Sequence, residues 1–119
     1  MLPNEAWLSI AKGLAKETVE LKTSANVLNE ISKTYFARFE YDRLVFTGMP
    51  GMLGYEPIYE PVEVDYTEFS EIFPMYFSKL RFASQNNAAL KNCKYVFPLI
   101  KKYVVVKANG NIQDAAKLP

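Results

Sequence analysis

Phe39-Glu40-Tyr41-Asp42-Arg43-Leu44-Val45-Phe46-Thr47 is where the chain changes period. Phe39, Tyr41, Arg43 and Val45 alternate with Glu40, Asp42 and Leu44, and the run is rich in β-formers. A repeat of two with that composition predicts a strand over 40–47. Before it, the spacing is helical. Trp7, Ile10, Ala11, Leu14 and Leu21 share one face, with Lys12, Lys16, Glu17 and Glu20 opposite. Asn4 is the expected cap, with Pro3 just outside. After the polar stretch Thr23-Ser24-Ala25-Asn26, the residues Val27, Leu28, Ile31, Tyr35 and Phe39 resume the spacing. Residues 4–38 are therefore expected to form a helical hairpin broken at that stretch. One long heptad-spaced helix seeking a partner helix is the alternative.

On the other side of the strand, Thr47 to Gly54 holds three glycines and a proline and predicts a surface loop. Its Met49, Met52 and Leu53 are candidate contact residues, because methionine suits adaptable binding surfaces. The short repeat Tyr55-Glu56-Pro57 and Tyr59-Glu60-Pro61 follows. Each proline pushes the preceding Glu into extended geometry, and the prolines keep this stretch out of the middle of a sheet. Val62, Val64 and Tyr66 alternate with Glu63 and Asp65, so an edge strand is expected near 58–66. Thr67 is the expected cap of a helix carrying Phe69, Ile72, Phe73, Met75, Tyr76, Phe77 and Leu80, with Pro74 kinking it or marking its first turn. A second helix from Ala88 is expected to stop before Pro98, and the run Tyr103-Val104-Val105-Val106 predicts a third strand over 102–108.

These elements predict an α+β fold. The N-terminal helical hairpin, or one long helix, and a second helix pair pack on a small sheet of about three strands. An all-α bundle is the alternative. Residues 1–110 are expected to form a single globular domain, with 111–119 a frayed C-terminal tail. Half of the 119 residues are hydrophobic, with eight Tyr, eight Phe and one Trp, which is enough for one core and far from a disordered composition.

Charge is sorted along the chain. Glu40 to Glu71 holds eight acids and one base, and Lys79 to Pro119 holds eight bases and one acid, so a net of −7 faces a net of +7 behind an overall +1. Such asymmetry bears on association rather than on fold. The chain has no histidine, which removes the commonest general base and zinc ligand and excludes Ser-His-Asp and Cys-His nucleophiles. Gly48 to Gly54 lacks both dinucleotide-binding spacing and a Walker lysine. Glu56, Glu60 and Glu63 are spread along an extended chain and read as a solvated acidic edge rather than a cation site. No catalytic, cofactor or metal residue is assigned. Cys93 stands alone, three residues from Leu90, and reads as a buried helix-face thiol.

The expected function is a non-enzymatic protein–protein interaction or assembly subunit, an adaptor or structural protein able to self-associate as a homo-oligomer. Its candidate interaction residues are Trp7, Leu14, Leu28, Met49, Met52, Leu53, Tyr55, Glu56, Tyr59, Glu60 and Glu63. The alternative is nucleic-acid binding, or contact with an acidic partner, through Lys91, Lys94, Lys101, Lys102, Lys107 and Tyr103. In that reading lysines meet phosphate and interleaved aromatics stack on bases. With no run of about 18 apolar residues and no basic, apolar leader, neither a membrane span nor a secretory signal is expected. A cytoplasmic or other reducing intracellular compartment is the expected location.

Overall fold

A computed structural model of the chain describes residues 2–23, 31–77 and 91–106. The order is α1 (Pro3–Leu14), β1 (Val19–Lys22), β2 (Thr34–Glu40), β3 (Arg43–Thr47), β4 (Val62–Val64), α2 (Tyr66–Phe77) and α3 (Cys93–Ile100). A π-helical segment, Lys101–Val106, continues α3. The strands form one antiparallel sheet in the order β1-β2-β3-β4. The fold is α+β, as the change of period at Phe39 implies.

Register sorts the side chains. Val19, Ala37, Phe46 and Val62 lie in one row across the sheet, and Phe39, Leu44 and Val64 in another, all facing the helices. The opposite face carries Glu20, Phe36 and Thr47 in one row and Arg38, Val45 and Glu63 in the next. Ala6, Ile10 and Leu14 of α1, Phe69, Ile72 and Phe73 of α2, and Val96, Leu99 and Ile100 of α3 complete a contiguous core. Trp7 anchors α1 edge-on to Phe39 and Tyr66, at 5.4 and 5.6 Å between centroids, and tilted against Phe69 at 5.2 Å.

The N-terminal region departs from the helical hairpin. α1 ends at Leu14, and Val19 and Leu21 alternate with Glu20 and Lys22 in a strand that carries the sheet to four members. Tyr35, Ala37 and Phe39 reach the core from β2 at a period of two. The i, i+4 spacing of Tyr35 and Phe39 satisfies a strand face as well as a helix face. Residues 24–30, where the hairpin was to break and restart, lie outside the described residues. Pro3 sits inside the first turn of α1, where its missing N–H costs no hydrogen bond, and Glu5 reaches back to the Leu2 N–H at 3.0 Å. Asp65 rather than Thr67 caps α2, its Oδ1 accepting from the Glu68 N–H at 2.9 Å.

The strand expected over 102–108 is instead helical through Val106, and α3 runs on through Pro98. Pro98 removes one N–H from the ladder, and the wider π turn follows directly after that loss. Tyr103 and Val104 are buried, with the Tyr103 ring lying where Gly13 of α1 has no side chain. A Cβ at Gly13 would stand 2.3 Å from that ring, so glycine allows the two helical segments to touch. Burial of Tyr103 and Val104 has overridden the β-propensity of the run. Residues 107–119, including the expected tail, lie outside the described residues.

Candidate functional site

β3 leaves the sheet at Thr47, opposite Phe36, while β2 begins two residues earlier at Thr34. The vacated position beside Thr34 is taken by residues 54–56. The Thr34 N–H donates to the Gly54 carbonyl and the Glu56 N–H donates to the Thr34 carbonyl, both at 2.8 Å. The Glu56 carbonyl accepts from the Met49 and Ile58 N–H groups, both at 2.9 Å. The loop from Gly48 to Ile58 is thus closed on one residue. Gly48 is required there, since a Cβ would lie 2.0 Å from the Glu56 carbonyl oxygen.

The Glu56 side chain points inward and is only 4% exposed. Its Oε2 accepts from the Tyr95 hydroxyl at 2.7 Å and pairs with Lys94 Nζ at 3.4 Å. The Tyr35 hydroxyl donates to the Tyr95 carbonyl at 2.5 Å. Tyr35, Phe46 and Tyr95 pack ring to ring, with centroids 5.2–5.8 Å apart. Burial, then the neighbouring Tyr95 and Glu56, hold the Tyr35 hydroxyl protonated well above the usual tyrosine range. One end of the loop is therefore fastened to β2 and to the first turn of α3. This is a correction to the sequence reading of Glu56 as part of a solvated acidic edge. A carboxylate paired inside the fold is already engaged and rigidifies its surroundings.

The apex of the same loop is apolar and turned outward. Two successive turns, Met52 N–H to Met49 carbonyl at 3.1 Å and Tyr55 N–H to Met52 carbonyl at 3.2 Å, carry the chain over it. Tyr55 stacks on Phe36 at 6.1 Å. Leu53 is 97% exposed, and Met49 and Met52 are exposed beside it. Ile31, 83% exposed, stands across a depression of about 400 Å³ bounded by Lys33, Glu56, Pro57 and Lys94. A second depression of about 340 Å³ runs between Lys33 and the loop residues Met52, Leu53 and Tyr55.

The remaining sequence candidates are dispersed. Leu14 lies in the core and Trp7 is half-buried among rings, so the apolar stripe expected to serve as a contact surface is spent on packing. Leu28 and Lys107 lie outside the described residues. Tyr59, Glu60 and Glu63 are exposed, with Glu63 Oε1 3.8 Å from Arg43. Lys91, Lys101 and Lys102 are exposed, whereas Lys94 is drawn in toward Glu56. Tyr95, Phe97 and Tyr103 are buried and offer no face for a base to stack on. The Asn92 amide donates to Glu68 at 2.5 Å, a second link between the acidic middle and the basic end within one chain. Cys93 is fully buried, and burial, with Glu68 adding, pushes its thiol up to about 12.

Sequence reasoning missed Tyr35 and Tyr95, whose partners lie 60 and 39 residues away. Among the described residues no group of three His, Cys, Asp or Glu side chains is placed to hold a metal, and no helix is long and apolar enough to cross a membrane. No protein-family model, curated protein or solved structure matches the chain.

Proposed function

We propose that the chain is a non-enzymatic protein-interaction or assembly subunit whose contact element is the loop from Gly48 to Tyr59. One observation carries this reading: an apolar apex, with Leu53 almost wholly exposed, stands on a base fixed by backbone hydrogen bonds and a buried carboxylate. A large apolar group held rigidly in water costs solvation and gains nothing within the chain. On association it orders few new torsions, so little of its burial energy is lost to entropy. Met49 and Met52 beside Leu53 supply adaptable apolar contact, and Lys33 stands within the flanking groove. The Tyr35–Tyr95–Glu56–Lys94 cluster supports a scaffolding role, because the Tyr35 hydroxyl is bonded to the Tyr95 carbonyl and the Glu56 carboxylate to the Tyr95 hydroxyl and Lys94.

A photo-activatable residue at position 53, in the full chain expressed in its native source, tests the proposal. A discrete cross-linked protein is expected from position 53, none from the same probe at Lys12, and none when Met52→Asp accompanies the probe. Equal labelling from both positions, or none from position 53, overturns it.

A further inference from the structure

The face of the sheet turned away from the helices carries a separate surface. Val45 is buried there, and the side chains beside it in its row, Arg38 and Glu63, are partly exposed. Around it lies a depression of about 570 Å³ lined by Arg38, Glu40, Tyr41, Asp42, Arg43, Glu60, Pro61 and Glu63. Its two arginines are matched internally: Arg38 to Glu40 at 2.7 Å, and Arg43 to Asp42 at 3.3 Å and to Glu63 at 3.8 Å. Glu60 has no ion-pair partner among the described residues. Four carboxylates against two guanidiniums leave the rim negative.

Tyr41 stands at that rim. It occupies the β2–β3 turn with φ 60°, a conformation that a bulky side chain rarely adopts, and it is 91% exposed. Glycine or asparagine would serve the turn better. An exposed aromatic ring on a rim with an excess of carboxylates over guanidiniums has the chemistry that receives an alkylammonium: the ring face attracts the cation and the excess acid neutralises it.

The chain supplies that cation on its other side. Lys101 and Lys102 are exposed in the helical layer, Lys102 Nζ lying 5.5 Å from the centroid of the Tyr103 ring that packs on Gly13 of α1. We infer that the acidic hairpin face of one copy receives the Lys101–Lys102 ridge of a second copy, a head-to-tail contact. Donor and acceptor surfaces lie on opposite sides of the sheet, so the contact is heterologous and repeats from copy to copy. It sits at the weak, salt-sensitive end of protein contacts, because its pairs remain close to solvent. It is independent of the apolar loop.

Sedimentation of the full chain at roughly 200 µM, in about 25 mM and about 500 mM salt, tests it; screening over a few ångströms at the higher salt is expected to weaken association at least tenfold. Asp42→Lys with Glu60→Lys removes the acceptor face, and Lys101→Glu with Lys102→Glu removes the donor. Each double variant alone is expected to be monomeric. Mixed in equal amounts, they retain one intact donor and one intact acceptor and are expected to form a one-to-one dimer and nothing larger. Leu53→Asp is expected to leave association unchanged. A wild-type chain that is monomeric at low salt overturns the inference, as does a mixture that stays monomeric. Association lost in Leu53→Asp but kept in both double variants also overturns it, by moving the second copy to the loop.

Discussion

Tyr55-Glu56-Pro57 and Tyr59-Glu60-Pro61 are the same tripeptide four residues apart, and the fold treats them in opposite ways. In the first copy Tyr55 stacks on Phe36 and Glu56 is buried against Tyr95 and Lys94. In the second, Tyr59 is 82% exposed and Glu60 faces water. The local backbone preference is shared, since both prolines enforce extended geometry. What differs is the neighbour. Where β3 ends, β2 still offers Thr34 for pairing, and the first copy takes it. Four residues later the chain has left that edge and has not yet paired as β4. The first copy anchors and the second displays.

Replacing each glutamate is the most direct way to break this contrast. Glu56→Ala removes the buried carboxylate that accepts from the Tyr95 hydroxyl and pairs with Lys94, and is expected to cost about 3 kcal/mol in urea unfolding. Glu60→Ala is expected to stay within about 0.5 kcal/mol of the parent. Equal losses would erase the distinction. Next in size, Gly48→Ala drives a methyl group into the Glu56 carbonyl, and a loss of about 2 kcal/mol is expected from the same measurement.

The anchored end also sets an alkaline limit. Cys93 and Tyr35 have folded-state pKa values above their unfolded ones, so each contributes stability that is complete below its unfolded pKa. The contribution falls as pH rises, because the unfolded chain releases protons that the folded chain retains. The Cys93 window opens near pH 9 and extends to about 12. Urea titrations are expected to show a loss of about 1 kcal/mol between pH 9 and 10, from less than one proton of difference. Cys93→Ala is expected to flatten that part of the curve and leave the Tyr35 limb above it. A profile unchanged by Cys93→Ala would contradict the assignment. On the displayed side, Tyr41→Gly relieves the positive φ and is expected to raise stability by half to about 1 kcal/mol while weakening head-to-tail association.

How much of this was legible depends on how local each cause is. The glycine loop and the aromatic face of α2 follow from patterns within a dozen residues, whereas the strand expected over 40–47 is cut by the Tyr41–Asp42 turn into the end of β2 and β3, and the edge strand expected near 58–66 is confined to Val62–Val64. β1 was hidden because four residues of alternation at Val19–Lys22 also fit helical spacing. β2 was hidden because Tyr35 and Phe39 sit at a separation common to both periods. The valines at 104–106 gave a strand signal that the burial of Tyr103 and Val104, with the Tyr103 ring against Gly13 of α1, overrode. At the candidate site, Met49, Met52 and Leu53 could be read as exposed from their glycine-rich setting. Glu56 could not be read as buried, because a glutamate before proline has every local reason to face solvent and its partners lie far along the chain.

Native-state hydrogen exchange at the Met49, Glu56 and Ile58 amides tests the anchored loop most directly. The account predicts protection at all three approaching that of β2 in the parent chain, and its selective loss in Glu56→Ala while β2 and β3 stay protected. Exchange of those amides at the rate of free peptide in the parent chain would mean that the loop has no fixed base, and the contrast between the two tripeptides would fall with it.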